Sequence, residues 1–293
     1  MQVQGEAVHL TLRYPAQGPL GDREIAEQLL EMSAEQREAV ALAHRAWNET
    51  DTERRLALAQ QALALSPDAA DAYTVLAEEA EYPQEALEWL EKAVAAGEAW
   101  LTPEALERLD GVVLWAAPAV RPFLRARLAM AETLEQLGRP EDALRHYLRL
   151  LELNPADHPG ARYPALALLV RLKRDTEARE LIERYKFEEA VDWDYTRALL
   201  AFRSGGDSAQ ARRRLQKAIR RNPAVAEYLT AARPLPLDPA ETAESAAEEE
   251  AYEYALHNYP SWWSTQGAIN WLKKVNKNKA TPQTGRSAGS DNL

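Results

Sequence analysis

Few residues in this sequence have the types and spacing that catalysis requires. No histidine pair stands at the helical spacing of metal ligands, and the five histidines are His9, His44, His146, His158 and His257. Asp192 and Asp194 form an acidic DxD pair, but they open a predicted helix, where the backbone dipole favours carboxylates. The stretch from Ser204 to Ser208 is typical of a turn between helices with a cap rather than of a serine nucleophile.

Other reactive arrangements are absent from the sequence. It contains no cysteine, no glycine-rich phosphate loop, no HExxH and no nucleophile elbow. The absence of cysteine also excludes disulfides and thiolate zinc sites. We therefore predict that the protein is not an enzyme, and that it uses no cofactor and no metal.

The composition indicates a helical protein with a buried core. The chain has 293 residues, of which 46% are hydrophobic, and Ala, Leu, Glu and Arg dominate over the 12 glycines. The net charge of −11 repels nucleic-acid phosphates, which argues against nucleic acid as a partner. The first residues form neither a basic leader nor a long apolar run, so we expect a cytoplasmic protein whose membrane contact is peripheral at most.

One repeat unit stands out and predicts a pair of packed helices. It runs from Leu124 to Pro155, and Gly138 ends its first helix. Pro155 prevents the second helix from continuing. One face of that second helix is formed by Ala143, Tyr147 and Leu150. Two helices in about 34 residues are typical of tetratricopeptide (TPR) repeats.

The same pattern returns at a regular spacing. The stops Asn154-Pro155 and Asn222-Pro223 are 68 residues apart, which is two periods of 34. Equivalent faces recur at Ala59 and Ala62, at Ala86, Leu90 and Ala93, at Ala178, Ile182 and Tyr185, and at Ala211, Leu215 and Ala218. From Pro67 to Pro155 the distance is 88 residues, or two periods plus 20, so we predict an inserted helix near residues 102–122.

The pattern defines the fold class and the domains. We predict an all-α, right-handed superhelical solenoid of about five TPR-like hairpins over residues 23–238, with the insertion. Residues 1–22 form an N-terminal extension with a short alternating strand signal, residues 239–276 a C-terminal helical cap, and residues 277–293 a disordered tail.

Three segments carry a resemblance to a known family. They are ALALSPDAADAYTVLAEEA, RARLAMAETLEQLGRPEDAL and EAYEYALHNYPSWWSTQGAINWL. In order and spacing, the chain from about Ala57 to Leu272 resembles the suppression-of-tumorigenicity-seven (ST-seven) proteins, in a soluble, bacterial-type form. Animal members are described as membrane proteins with tetratricopeptide-like repeats and no established catalytic activity, so the resemblance implies a repeat fold without catalytic residues. This sequence lacks their apolar N-terminal spans, and membrane residence is not carried over.

The first helix of each TPR unit lines the concave groove, which predicts the partner-binding residues. They are His44, Trp47, Thr74, Glu78, Glu81, Leu128, Glu132, Glu135, Tyr163 and Arg203, with Val40, Val170 and Thr196 at further inward positions. The middle of this groove is acidic, which favours a protein or peptide partner with basic residues around an apolar anchor. A solvated acidic face without a partner is an equally good interpretation.

Two further clusters form a candidate second surface, whose residues include Arg213, Arg214, Lys217, Trp262 and Trp263. The basic stripe of Arg212 to Arg221 either binds nucleic acid or pairs with the glutamates of the following helix, and we favour pairing. The C-terminal aromatics, which stand beside four lysines, either seat a helix at a membrane surface or fill the groove of the last repeat, and we favour packing.

The leading prediction is a protein-interaction scaffold or adaptor that binds its partner in the TPR groove. The alternatives are an accessory subunit of an enzyme complex, a peripheral membrane adaptor that acts through the aromatic and basic C-terminus, and an undetected hydrolase. The sequence does not specify the partner, the pathway or the oligomeric state.

Overall fold

The computed structural model describes residues 33–100, 115, 120–236 and 245–277. Within these residues the chain forms thirteen α-helices and no strand. They fall into two compact units, with the boundary between Leu168 and Leu169. The predicted N-terminal extension, most of the insertion and all but the first residue of the predicted tail lie outside the described residues.

Unit 1 contains a succession of packed helices. Its helices are α1 Ala34–Asn48, α2 Thr52–Leu65, α3 Ala70–Glu78, α4 Pro83–Trp100, α5 Arg121–Gln136 and α6 Pro140–Leu153. Each odd-numbered helix packs against the even-numbered helix that follows it, and α1, α3 and α5 pack in succession. Helix α7, Arg162–Arg171, contains the boundary to unit 2.

Unit 2 contains helical pairs and two C-terminal helices, which are called the cap helices here. Its further helices are α8 Asp175–Arg184, α9 Val191–Gly205, α10 Ala209–Arg221 and α11 Pro223–Leu229, and the cap helices are α12 Ala246–Trp263 and α13 Ala268–Lys277. Helix α9 packs against α10 and α12, and α13 packs against α10, α11 and α12. The two cap helices therefore close over the last hairpin of unit 2.

Local sequence explains where several helices begin. The Ser33 hydroxyl accepts from the Gln36 N–H at 3.2 Å, and the Gln36 side chain accepts from the Ser33 N–H at 2.8 Å, which makes a capping box for α1. Ser208 caps α10 by accepting from the Ala211 N–H at 3.2 Å. The stretch from Ser204 to Ser208 is thus an inter-helix turn with a cap, as predicted.

The helical-repeat prediction is confirmed. The predicted faces of the second helices are buried in every unit except at Tyr185, which is half-buried. The turns also repeat, since Gly138 and Gly206 have positive φ angles of 70° and 59°. The repeat that lacks this glycine places Lys173 there with φ of 59°, a conformation that L-residues rarely adopt. The repeat therefore keeps its turn geometry even where its sequence has diverged.

Two prolines begin helices in the structure. Pro122, at the end of the predicted insertion near residues 102–122, lies in the first turn of α5, which begins at Arg121. Helix α10 ends at Arg221, as the Asn222-Pro223 stop predicts, and Pro223 at once begins α11, which Asn222 caps by accepting from the Ala224 N–H at 3.2 Å. Both positions have one cause: proline lacks an N–H, and the first turn of a helix needs none.

Candidate partner-binding face

A buried ion pair aligns α3 with α5 in unit 1. Arg125 of α5 donates through both ends of its guanidinium to the Asp71 carboxylate of α3, with Nε to Oδ1 at 3.2 Å. Farther along the two helices, Ala77 and Ala129 lie in one buried cluster. Because both helices advance in the same direction from the ion pair to this cluster, they run parallel, and their carboxyl ends lie side by side.

The ion pair also reaches α1. The Arg125 guanidinium lies over the ring of Trp47, 4.8 Å from its centroid, which is a cation–π contact. Arg125 therefore joins the first helices of three successive repeats. A planar guanidinium can accept a ring on its face while its edge binds a carboxylate, which lysine cannot do.

The carboxyl ends of α3 and α5 carry the acidic face, defined here as Glu78, Glu79, Glu81, Glu132 and Glu135. Of these residues, Glu81 is exposed and the others are half-buried. The carboxyl end of a helix has negative potential from its unpaired carbonyls, so these side chains add to a field of the same sign. The arrangement attracts cations.

The chain already places one arginine on this face. Arg55 of α2 pairs with Glu78 and, through Nη1 at 2.6 Å, with Glu79. Burial raises the pKa of the Glu78 carboxyl, although Arg55 acts in the opposite direction. Glu135 is held by the Tyr147 hydroxyl, which donates to it at 3.1 Å. The carboxylates are thus partly desolvated and fixed in position.

Four of the predicted inward positions do not reach the surface, namely Thr74, Leu128, Val170 and Thr196. The Thr74 side chain is fully buried and donates to the Ala70 carbonyl at 3.1 Å, and Leu128 is also buried. Helix α3 is covered by α1, α2, α4 and α5, which leaves it little open surface. His44 is exposed.

Tyr163 and Arg203 are engaged within the chain. The Arg162 guanidinium lies 5.0 Å from the Tyr163 ring centroid in unit 1. In unit 2, Arg203 donates to the Val170 carbonyl at 2.9 Å, to the Asp175 carboxylate at 2.6 Å and to the Thr265 hydroxyl at 3.0 Å. Arg203 therefore cross-links α7, α8 and the turn before α13.

The basic stripe of α10 pairs mainly with acids that precede it in the chain. Lys217 and Arg221 both bind the buried Asp194 carboxylate, at 2.8 and 2.7 Å. Arg212 pairs with Asp207 in the turn before α10. The predicted partners on α12 make no direct ion pair with the stripe within the described residues, because the hairpin lays α10 against α9. Glu241 and Glu244 lie outside the described residues.

Most of the C-terminal aromatics fill the core of unit 2. The Trp262 ring is fully buried, lies 6.4 Å from Trp271 and donates its N–H to the Tyr254 hydroxyl at 3.0 Å. Tyr195 of α9 lies 5.5 Å from Tyr254. Trp263 differs, since it is 48% exposed. These contacts favour the packing interpretation over the membrane one.

Sequence reasoning missed three residues of the unit 1 face, namely Arg55, Asp71 and Arg125. A signal was present for two of them. Arg125 follows Asp71 by 54 residues, which is one period of about 34 plus the 20-residue excess, so the two charges occupy equivalent places in neighbouring repeats. No such spacing marks Arg55, which comes from a second helix.

The comparisons with known proteins concern both units. A family model described as ST7 protein matches residues 28–155, which include α1 to α6 and the acidic face. The resemblance to the ST7 family is confirmed. Curated relatives described as suppressor of tumorigenicity 7 protein-like are 29% identical in Rattus norvegicus and 28% in Homo sapiens, each over 260 residues. These alignments cover 78% of this chain and 45% and 44% of the relatives, so the chain spans about half the length of the curated ST7-like relatives it matches.

Two solved structures are also similar. YrrB, a TPR protein with an unusual peptide-binding site, aligns at 22% identity and a TM-score of 0.45, over 69% of this chain and 92% of that one. PilF of Pseudomonas aeruginosa aligns at 19% identity and a TM-score of 0.34, over 68% and 98%. The helical-repeat assignment for this ST7-like chain rests on its own hairpins.

The described residues contain neither a candidate membrane span nor a candidate metal site. None of the described helices is long and apolar enough to span a bilayer. In the same residues, no group of three or more histidine, aspartate or glutamate side chains is placed to hold a metal ion.

Proposed function

We propose that the protein is an interaction scaffold, and that the acidic face of unit 1 binds a partner segment with lysine or arginine residues around an apolar anchor. The observation that carries this proposal is the parallel alignment of α3 and α5. Because the two helices run parallel from the Asp71–Arg125 ion pair, the carboxylates near both carboxyl ends stand at the same end of the helix pair.

Charge favours a basic partner. Five carboxylates form the acidic face, and the structure pairs Arg55 with two of them, Glu78 and Glu79. Arg55 also illustrates the binding mode, since one guanidinium reaches two carboxylates on successive residues, Glu78 and Glu79. A partner arginine placed beside Glu132 and Glu135 would make the same kind of charge-assisted contact.

The face is preorganised, which lowers the cost of binding. Glu135 is held by Tyr147, and Glu78 is held by Arg55. Side chains that are already ordered lose less conformational entropy when a partner arrives.

A chain without cysteine suits a reducing compartment, and the proposed location is the cytoplasm.

An array of immobilised peptides, probed with the purified protein, tests this function. The wild type should retain basic peptides that contain an apolar residue, and retention should fall as salt is added, because exposed charges are screened. The double substitution Glu132→Lys and Glu135→Lys should abolish this retention.

The matched control is Glu88→Lys with Glu91→Lys. These two exposed glutamates lie three residues apart on α4, as Glu132 and Glu135 do on α5, so the charge change is the same. Equal losses in the two double variants would show that net charge, and not the acidic face, retains the peptides. The proposal also fails if the wild type shows no preference for basic peptides.

A further inference from the structure

Two arginines from neighbouring helices of unit 2 converge on one turn of α9. Arg179 of α8 donates to the Leu200 carbonyl at 2.9 Å, and Arg214 of α10 donates to the Arg197 carbonyl at 3.4 Å. Arg197 and Leu200 are three residues apart on α9, so their carbonyls lie about 5 Å apart along the helix. The two guanidinium groups are therefore held close together, at the helix that carries Arg197.

Arg179, Arg197 and Arg214 form a basic cluster, and carboxylates do not neutralise it. Arg197 lies 4.0 Å from Asp194, but the same carboxylate is bound more closely by Lys217 and Arg221, at 2.8 and 2.7 Å. One carboxylate thus serves three cations. Among the residues that the structure describes, Arg179 and Arg214 bond to neutral carbonyls and make no ion pair.

Like charges in this cluster act on one another. The pKa of Arg214 is lowered, first by burial and then by the positive charges of Arg197 and Arg179. Glu183 stands one turn beyond Arg179 on α8, but the two form no ion pair within the described ranges. Holding cations together without a counter-charge costs free energy, and a bound anion would offset that cost.

An apolar side chain stands at the edge of the cluster. Arg197 donates to the Lys186 carbonyl at 3.4 Å, which ties the loop between α8 and α9 to the arginines. The next residue, Phe187, is 87% exposed, and the Lys186 ammonium lies 5.3 Å from its ring centroid. An aromatic ring left in water beside cations is suited to contact with an apolar group of a ligand.

We propose that Arg179, Arg197 and Arg214, with Phe187 at their edge, bind an acidic peptide segment of a protein partner, in which aspartate or glutamate residues flank an apolar side chain. A peptide fits better than nucleic acid for two reasons. The cations are gathered in a small area rather than along a track for a phosphate backbone, and the net charge of −11 repels an extended polyanion. This surface is separate from the acidic face and would select a partner of opposite charge.

Fluorescence anisotropy with a labelled peptide tests the proposal on the full chain. The probe has one phenylalanine between two runs of three glutamates, and a labelled single-stranded DNA of 20 nucleotides serves as the competing class of ligand. The wild type should bind the peptide more tightly than the DNA at physiological salt. The double variant Arg179→Gln and Arg214→Gln should bind the peptide about tenfold or more weakly, since two charge-assisted contacts are lost.

The matched control is Arg220→Gln with Lys273→Gln, which removes the same charge from exposed positions of α10 and α13. It should stay within about twofold of the wild type, whereas Phe187→Ser should weaken peptide binding but leave the weak DNA binding unchanged. Circular dichroism of each variant confirms that the helices are retained. Equal losses in both double variants, tighter binding of DNA, or no peptide binding by the folded wild type would overturn the proposal. None of these outcomes depends on peptide binding by the acidic face.

Discussion

Units 1 and 2 use the same helical hairpin but join neighbouring helices with different side chains. In unit 1, the cluster between α1, α2 and α3 consists almost entirely of buried alanines, and ion pairs such as Asp71–Arg125 cross-link the helices. In unit 2, the contacts between α9, α12 and α13 are made by aromatic rings: Tyr195 with Tyr254 and Trp262, Phe202 with Trp271, and Trp262 with Trp271.

The difference shows how side-chain size decides what a repeat can offer at its surface. Small alanines let helices approach closely and leave the fixing of position to charged side chains, which then also appear on the open face. Large rings occupy the space between the last hairpin and the cap, so the aromatic residues of unit 2 serve mainly to hold it together. Its exposed charges lie on α8 and α10 and on the outer faces of the cap helices α12 and α13.

The largest effect is expected in the aromatic core of unit 2. Trp262→Ala should lower the free energy of unfolding by about 3–5 kcal/mol, because it leaves a cavity and removes the hydrogen bond to Tyr254. Trp263→Ala is the matched neighbour, and it should cost about 1 kcal/mol, since that ring is half exposed and mainly loses its bond to the Leu229 carbonyl. Urea unfolding measures both, and equal effects would contradict this view of the cap.

Loss of the Asp71–Arg125 ion pair in unit 1 should lower the free energy of unfolding almost as much. Asp71→Ala should destabilise the protein by about 3 kcal/mol, because it leaves the Arg125 guanidinium buried without its carboxylate. The double variant Asp71→Ala and Arg125→Met should recover much of this loss, since no unpaired charge remains. A double variant that is less stable than Asp71→Ala alone would show that Arg125 stabilises the protein chiefly through Trp47.

A smaller loss is expected where Gly97 of α4 packs against Phe123 of α5. A methyl group at Gly97 would lie 2.4 Å from Cδ2 of Phe123, so the ring would have to move. Gly97→Ala should cost about 1–3 kcal/mol despite the better helix propensity of alanine. Adding Phe123→Leu should restore part of the loss in thermal unfolding. A Gly97→Ala variant as stable as the wild type would show that the contact between these helices is loose.

The smallest effect is a pH dependence that belongs to unit 1. Burial lowers the pKa of His146 from 6.5 to about 4, and the charges of Arg127 and Arg145 act in the same direction. The unfolded chain therefore takes up a proton below about pH 6.5 while the folded chain does not, so this histidine reduces stability as the pH falls from 6.5 to 4. His146→Gln should flatten that part of the curve of melting temperature against pH, and an unchanged slope would contradict the assignment.

Local patterns in the sequence predicted the elements of the fold but only part of the candidate site. The Asn-Pro stops, the turn glycines and the buried faces of the second helices follow from spacing within one repeat, which does not depend on the rest of the chain. Glu78, Glu132 and Glu135 keep partial exposure near the carboxyl ends of α3 and α5. Thr74 is fully buried instead, because four helices surround α3, and the sequence of α3 alone does not specify how many neighbours cover it.

The amino-acid sequence alone determined that this protein is a series of helical hairpins, since helix propensity, proline stops and a period near 34 residues act over short distances. Tertiary structure decided which charges meet. Asp71 pairs with Arg125 of the next hairpin, and Arg214 lies beside Arg197 within one hairpin, because packing sets which faces of the helices meet. Those contacts depend on the rotation and alignment of whole helices, which no local pattern specifies.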